Sequence, residues 1–173
     1  MTEKEFLNRL ANGSQDVVQE FLDLLNEHGI DYCLVGGLAV NAYVEPVVSL
    51  DLDLVVVTQA LDKICKAAEK AFDLKKFRHS INLKSPKSDL RIQLQTDARY
   101  QAFVKSATTK KVMGYEMKVA RLEDVLKGKV WAYSDQERRK SKRQKDLADI
   151  SRIIESYPEL AGDLPEEIRQ TIL

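Results

Sequence analysis

Between Leu50 and Val57 the chain reads LDLDLVVV. In a strand, successive side chains point to opposite faces. Leu50, Leu52 and Leu54 therefore share one face, and Asp51 and Asp53 share the other. The leucine face requires a hydrophobic core, and the β-branched end of the segment favours a sheet. Two carboxylates side by side repel each other, and a fold tolerates them most readily where a cation neutralises them. Mg²⁺ suits such a site, because its ligands are oxygens. The competing explanation is a solvated aspartate pair at a sheet edge.

A second feature lies some fourteen residues upstream. The short apolar run DYCLV ends in Gly36-Gly37 and continues as LAVNAY. This pattern predicts a buried strand over 31–35, a tight turn, and a short helix. Glycines at a strand-to-helix turn let a phosphate approach the backbone. They also serve any turn that needs small residues. No GK[ST] follows, so this is not a P-loop, and it is not the dinucleotide GxGxxG pattern.

Around these two features, periodicity predicts a helix over 14–27 capped by Ser14, and a helix over 59–72. Strands are expected at 74–77, 80–84 and 90–94, with a hairpin over 108–119 turning at Met113-Gly114. Two helices are expected over 122–133 and 136–156; in the second, Leu147, Ile150, Ile153 and Ile154 form an apolar stripe that can dock on the core, and Lys145 with Asp149 and Arg143 with Asp146 stand at pairing distance along the helix. The fold class is a mixed α/β (α+β) sheet flanked by helices, with a core over residues 1–119 and a C-terminal helical segment over 120–173.

Charge is uneven along the chain. Lys plus Arg is 27 and Asp plus Glu is 27, so the formal charge is zero. The stretch from Lys118 to Lys145 is nevertheless strongly basic, between acidic flanks. A neutral total argues against a bulk nucleic-acid coater, while a basic patch leaves local RNA contact open. No apolar run is long enough for a transmembrane helix, and the amphipathic start MTEKEFLNRL does not read as a signal peptide. Cys33 and Cys65 sit in apolar surroundings and fit neither a zinc site nor a disulfide framework, and His28 and His79 are too few for a zinc cluster. A cytoplasmic protein without membrane attachment is expected.

V-GG-LAVNAY followed by SLDLDLVV resembles the nucleotidyltransferase superfamily, the polymerase-beta-like fold. Its core pattern is a hydrophobic residue and hG[GS], a spacer of about a dozen residues, then Dh[DE]h. Downstream, KVARLEDVLKGKVWAY and RQKDLADI resemble the helical part of AbiEii-type, toxin-like and related small nucleotidyltransferases. The resemblance spans about residues 31–154. It implies that Asp51 and Asp53 hold Mg²⁺ or Mn²⁺, and that Gly36 and Gly37 flank the phosphates of a nucleoside triphosphate (NTP). It further implies attack of an acceptor hydroxyl on the α-phosphate, with pyrophosphate leaving. Lys145 or Arg143 would contact the triphosphate, with Asp146 or Asp149 as an orienting anchor. The acceptor would be a hydroxyl of a protein, an RNA or a small molecule, and toxin-like members imply a cognate antitoxin.

The chain departs from this pattern in two places. A third carboxylate is usual on a later strand, and in LRIQLQT the position of matching parity holds Gln93, with Asp89 and Asp97 as alternatives. Gln93 offers a neutral carbonyl oxygen, a weaker Mg²⁺ ligand than a carboxylate. The family's Arg and Thr before the paired acids are replaced within EPVVSLD, where Ser49 keeps a hydroxyl. These departures define a rival expectation, a catalytically degenerate nucleotide-binding or interaction protein of the same fold.

Overall fold

A computed structural model describes all of residues 1–173. Helix α1 (Glu3–Leu10) was not among the expected elements. Its start is fixed by a reciprocal cap, in which the Glu5 backbone N–H donates to Thr2 Oγ1 and the Thr2 N–H to a Glu5 carboxylate oxygen. Helix α2 (Val17–Glu27) begins later than expected. Its cap is Asp16, which accepts from Gln19 N at 3.1 Å, while the Ser14 hydroxyl donates instead to the Lys87 carbonyl.

Strand β1 (Tyr32–Val35) is buried throughout and runs directly into the five-residue helix α3 (Gly36–Val40). Strand β2 (Asp51–Val56) follows. The next expected helix opens with a 3₁₀ turn over Thr58–Ala60 and becomes α4 (Leu61–Ala68). Strands β3 (Asp73–Lys76), β4 (Ser80–Lys84) and β5 (Arg91–Gln95) form an antiparallel meander. After a 3₁₀ segment over Ala98–Val104 come β6 (Thr108–Val112) and β7 (Tyr115–Val119), a hairpin whose turn residues Met113 and Gly114 both have positive φ.

The seven strands lie in the order β3-β4-β5-β2-β1-β7-β6. Strand β2 is central, antiparallel to β1 and parallel to β5. Its leucine face is the core face. Leu52, Leu54, Ile92, Leu94 and Leu83 are all essentially inaccessible to solvent. Phe21 of α2 meets Phe72, just beyond α4, edge-on within the same hydrophobic cluster.

The C-terminal part is helical: α5 (Leu122–Ser134), α6 (Lys140–Ser156), a 3₁₀ turn and α7 (Glu166–Ile172). Helix α6 starts four residues after the expected Gln136. The Asp135 carboxylate captures the Glu137 N–H and the Asp135 carbonyl accepts from Arg138 N, which closes a turn in place of the first helical turn. Ile150, Ile153 and Ile154 bury one stripe of α6 in the main core, as the apolar spacing predicted. Trp131 of α5 stacks on Phe103 with ring centroids 5.5 Å apart, so it packs the core. No helix is long and apolar enough to cross a membrane.

Because α6 carries charged residues that reach the aspartate pair, its docking couples stability to the site. Ile150→Ala is expected to cost about 2–5 kcal/mol through lost burial and the cavity left behind. Urea unfolding followed by circular dichroism measures this, and an unchanged midpoint would show that α6 docks without Ile150.

Candidate nucleotide site

The carboxylates of Asp51 and Asp53 share the face of β2 opposite its leucines. Asp53 stands in register with Val35 on one side and Gln93 on the other, and Asp51 stands beside Arg91. Gly36 lies against Asp53. A Cβ built at Gly36 would collide with Asp53 Oδ2 and come within 3.0 Å of Asp53 Cβ, and its φ of +75° is strained for any other residue. Glycine is thus required here by the carboxylate that packs on it. Gly37 faces Ser49 Oγ and Asp149 Oδ2, each 3.8 Å from where its Cβ would be. Ser49 Oγ accepts from the Asp51 N–H at 3.3 Å, which orders the entry into β2.

The two aspartates have different surroundings. Asp51 Oδ1 accepts from Arg91 Nε at 2.8 Å, and Oδ2 lies 3.1 Å from Lys142 Nζ of α6. Burial raises its carboxyl, but Lys142 and Arg91 outweigh burial and hold it below the usual carboxylate range. Asp53 takes part in no ion pair. Burial, with the adjacent Asp51 charge adding to it, pushes its carboxyl up to about 6. A carboxylate in that condition is open to an external cation.

The third position of the site holds Gln93, beside Asp53 and next to Asn82 of β4. Neither alternative carboxylate joins it. Asp89 accepts from Asn12 Nδ2 at 2.7 Å, away from the pair, and Asp97 caps the 3₁₀ segment and pairs with Arg99. No three His, Cys, Asp or Glu side chains come together in a cluster able to hold a metal. The oxygen donors that line the site include two carboxylates and the amides of Gln93 and Asn82, the Asn82 Oδ1 being buried without a partner. Such a hard, all-oxygen set fits Mg²⁺ or Mn²⁺ in kind, with one charge fewer than three carboxylates would supply.

A cleft opens between this face and the C-terminal helices, lined by Asp51, Asp53, Gln93, Lys129, Arg138 and Lys142. Its cationic wall is built on a buried network. Lys129 of α5, 8% exposed, reaches Asp146 at 3.0 Å and Asp149 at 2.8 Å on α6. Arg138 adds a 2.7 Å contact to Asp146, and Arg152 pairs with Asp149. Burial alone would depress the Lys129 amine, but the two carboxylates outweigh it and raise it above the usual lysine value. The fully paired network fixes the angle between α5 and α6.

The basic residues singled out in the sequence separate here. Lys145 is exposed and borders a smaller recess beside Ser49, Gly37 and Lys142. Arg143 turns away, its Nε donating to the Tyr133 carbonyl at 2.7 Å and its guanidinium lying over the Tyr133 ring. Asp146 and Asp149 serve Lys129, Arg138 and Arg152, so the i,i+3 and i,i+4 pairs within RQKDLAD do not form. Sequence reasoning missed Lys129, Lys142 as a partner of Asp51, Arg91 and Asn82. For Arg91 and Asn82 the signal existed in strand parity. For Lys129 and Lys142 it did not, because the meeting of α5 and α6 with the sheet is a tertiary event.

No protein-family model matches the sequence, and no curated protein matches it. Solved structures do match. A lincosamide antibiotic adenylyltransferase bound to lincomycin superposes with a TM-score of 0.56 and 13% identity, over 82% of this chain and 99% of its own. ANT(2″)-Ia in complex with adenylyl-2″-tobramycin gives 0.60 and 13%, over 90% and 94%. An antigenic nucleotidyltransferase-like protein from Paracoccidioides brasiliensis gives 0.55 and 23%, over 90% and 83%. At these identities the likeness is one of fold, shared with these three structures.

The raised carboxyl of Asp53 sets a pH dependence. The folded state binds this proton more tightly than the unfolded chain does, so the residue costs stability as pH rises from about 4 to about 6, and the cost is constant above that. With a chelator present, Asp53→Asn should therefore be more stable than wild type at pH 7, by on the order of 2 kcal/mol, with the difference shrinking toward zero below about pH 4. Urea unfolding across pH 3.5–8, a range of roughly two units either side of the shifted value, measures it. A difference independent of pH would show that burial of this carboxylate is not what perturbs it.

Proposed function

We propose that the protein is a nucleotidyltransferase that binds an NTP with Mg²⁺ or Mn²⁺ and moves the nucleoside monophosphate to an acceptor hydroxyl. The observation that carries this reading is the pair Asp51 and Asp53 on one face of the central strand, with Asp53 against Gly36, at the floor of a cleft walled by Lys129, Arg138 and Lys142. The nucleotidyltransferase fold agrees with it. Asp51, Asp53 and the Gln93 carbonyl would hold the cation, which when bound neutralises charge developing on the phosphates. Gly36 and Gly37 would flank the phosphates, with Ser49 ordering the turn beside them. Lys142 and the exposed Lys145 would meet the triphosphate. Arg143, held by Tyr133, would support this wall from behind. Most of the rate would come from positioning and electrostatics.

The acceptor is a hydroxyl of a small molecule, a protein or an RNA. Lincomycin and adenylyl-tobramycin in the similar structures support the first class. The AbiEii-like motif in RQKDLADI supports a toxin-like transferase with a protein or RNA acceptor and a cognate antitoxin. A second reading has its own observation: Gln93 beside Asp53 supplies no third negative charge and cannot accept the acceptor's proton. On that reading the protein binds the nucleotide without transferring it.

Incubation with each radiolabelled NTP and Mg²⁺ or Mn²⁺, with protein, RNA and aminoglycoside or lincosamide acceptors, separates the two. Label transfer abolished by Asp51→Asn establishes the transferase, whereas tight binding without transfer establishes the degenerate protein. Gln93→Asp is expected to tighten Mn²⁺ binding in calorimetry, and an unchanged affinity would place Gln93 outside the metal's ligands. Lys145→Ala should weaken Mg²⁺–nucleotide binding roughly tenfold, about 1.4 kcal/mol, with the fold intact. Lys140→Ala, at the exposed start of α6, should change it far less. Equal small losses for both would mean a diffuse field without a specific contact.

A further inference from the structure

Both oxygens of Asp51 are occupied by the protein's own cations, and those of Asp53 are not. Arg91 Nε takes Oδ1 and Lys142 Nζ takes Oδ2. The other cations of the cleft wall are committed elsewhere: Lys129 to Asp146 and Asp149, and Arg138 to Asp146. A divalent cation held by the two aspartates would therefore find one carboxylate free and one already neutralised. At Asp51 it would compete with the two cationic side chains that already take its oxygens.

The two displaceable groups differ. Arg91 rises from β5 at the register position directly beside Asp51, so strand pairing fixes its backbone there and its side chain, although 52% exposed, meets Asp51 without leaving its own strand neighbour. Lys142 comes from the first turn of α6 on a long flexible stem, and its side chain is a quarter exposed. Lys142 also borders both recesses, the one around Gln93 and Arg91 and the one around Ser49, Gly37 and Lys145. Its ammonium is a compact point charge that can change partner by rotating its stem, unlike a planar guanidinium.

We propose that Lys142 is an exchangeable counterion: it occupies Asp51 while the site lacks its divalent cation, and it passes to the phosphates when the cation takes its place. This rests on the cation and triphosphate reading given above. Lys142 then opposes the cation when it binds alone and assists the triphosphate when both are present. Lys142 would leave Asp51 when the cation binds and move to the phosphates, so the two ligands would favour each other through one side chain. A site of this kind stays electrically balanced when empty, and it discriminates against a bare metal ion in favour of the metal with its nucleotide. Lys142 is in this sense a positioning residue as well as a ligand.

The test uses the full chain with two probes, Mn²⁺ alone and inorganic tripolyphosphate in saturating Mg²⁺, both by calorimetry. Lys142→Met keeps the stem and removes the charge. It should raise the affinity for Mn²⁺ alone by about fivefold or more, and lower that for tripolyphosphate by about tenfold. Lys142→Arg, which restores the charge, should return Mn²⁺ affinity toward wild type. A rise in one affinity with a fall in the other has no explanation in a merely structural pair, and thermal melts of both variants check folding. If Mn²⁺ binds wild type, is lost in Asp53→Asn, and is unaffected by Lys142→Met, the exchange is overturned while the cation site stands. If Mn²⁺ binds none of the proteins, both the exchange and the cation site are overturned.

Discussion

The repulsion between Asp51 and Asp53 sets the terms for everything packed around β2. A central strand buries its leucine face whatever the other face carries, so the two carboxylates are pressed into a half-buried position by the same packing that stabilises the sheet. The protein answers the charge unequally. Asp51 is neutralised by Arg91 and Lys142, whereas Asp53 is left to carry a raised carboxyl against Gly36. An unrelieved carboxylate beside a second one is costly to the fold, and such cost is commonly retained where a ligand removes it.

The cationic wall depends on a different balance. Lys129 is nearly inaccessible, and a buried ammonium is strongly unfavourable unless it is paired. Asp146 and Asp149 supply that pairing from the next helix, and Arg138 and Arg152 absorb their remaining charge. The KDLAD segment thus acts mainly as scaffold. Its aspartates hold α5 and α6 at the angle that brings Lys142 over Asp51 and leaves Lys145 at the rim. Removing Lys129 would leave the buried Asp146 and the half-buried Asp149 to be shared between two arginines, a loss of about 3–5 kcal/mol for a broken buried pair.

A formal charge of zero therefore conceals local separation. Acidic groups form the floor of the cleft and basic groups its wall, close enough to neutralise one another in the absence of a ligand. On the proposed function, an anionic ligand entering with its cation would exchange these internal pairs for external ones.

The sequence by itself determined the local alternation and its consequences. The parity of LDLDL placed both aspartates on one face, the apolar spacing of Leu147 to Ile154 predicted a docked helix, and Met113-Gly114 marked the hairpin. Strand parity also put Gln93 on the side of a strand where a third carboxylate would lie. These features were legible because they depend on periods of two or 3.6 residues along one segment. The reciprocal cap at Thr2 and Glu5 was equally local, and α1 could have been read from it. What tertiary structure alone decided was which segments meet. The strand order, which sets β5 beside β2, the burial of Lys129 between two aspartates on another helix, and the reach of Lys142 to Asp51 join residues separated by 17 to 91 positions. Charge pairing along RQKDLAD looked self-contained at helical spacing, yet each aspartate found a stronger partner across space. Attraction between buried charges is stronger at low dielectric, and a buried charge stripped of solvent is costly unless paired, whereas exposed neighbours on one helix gain little.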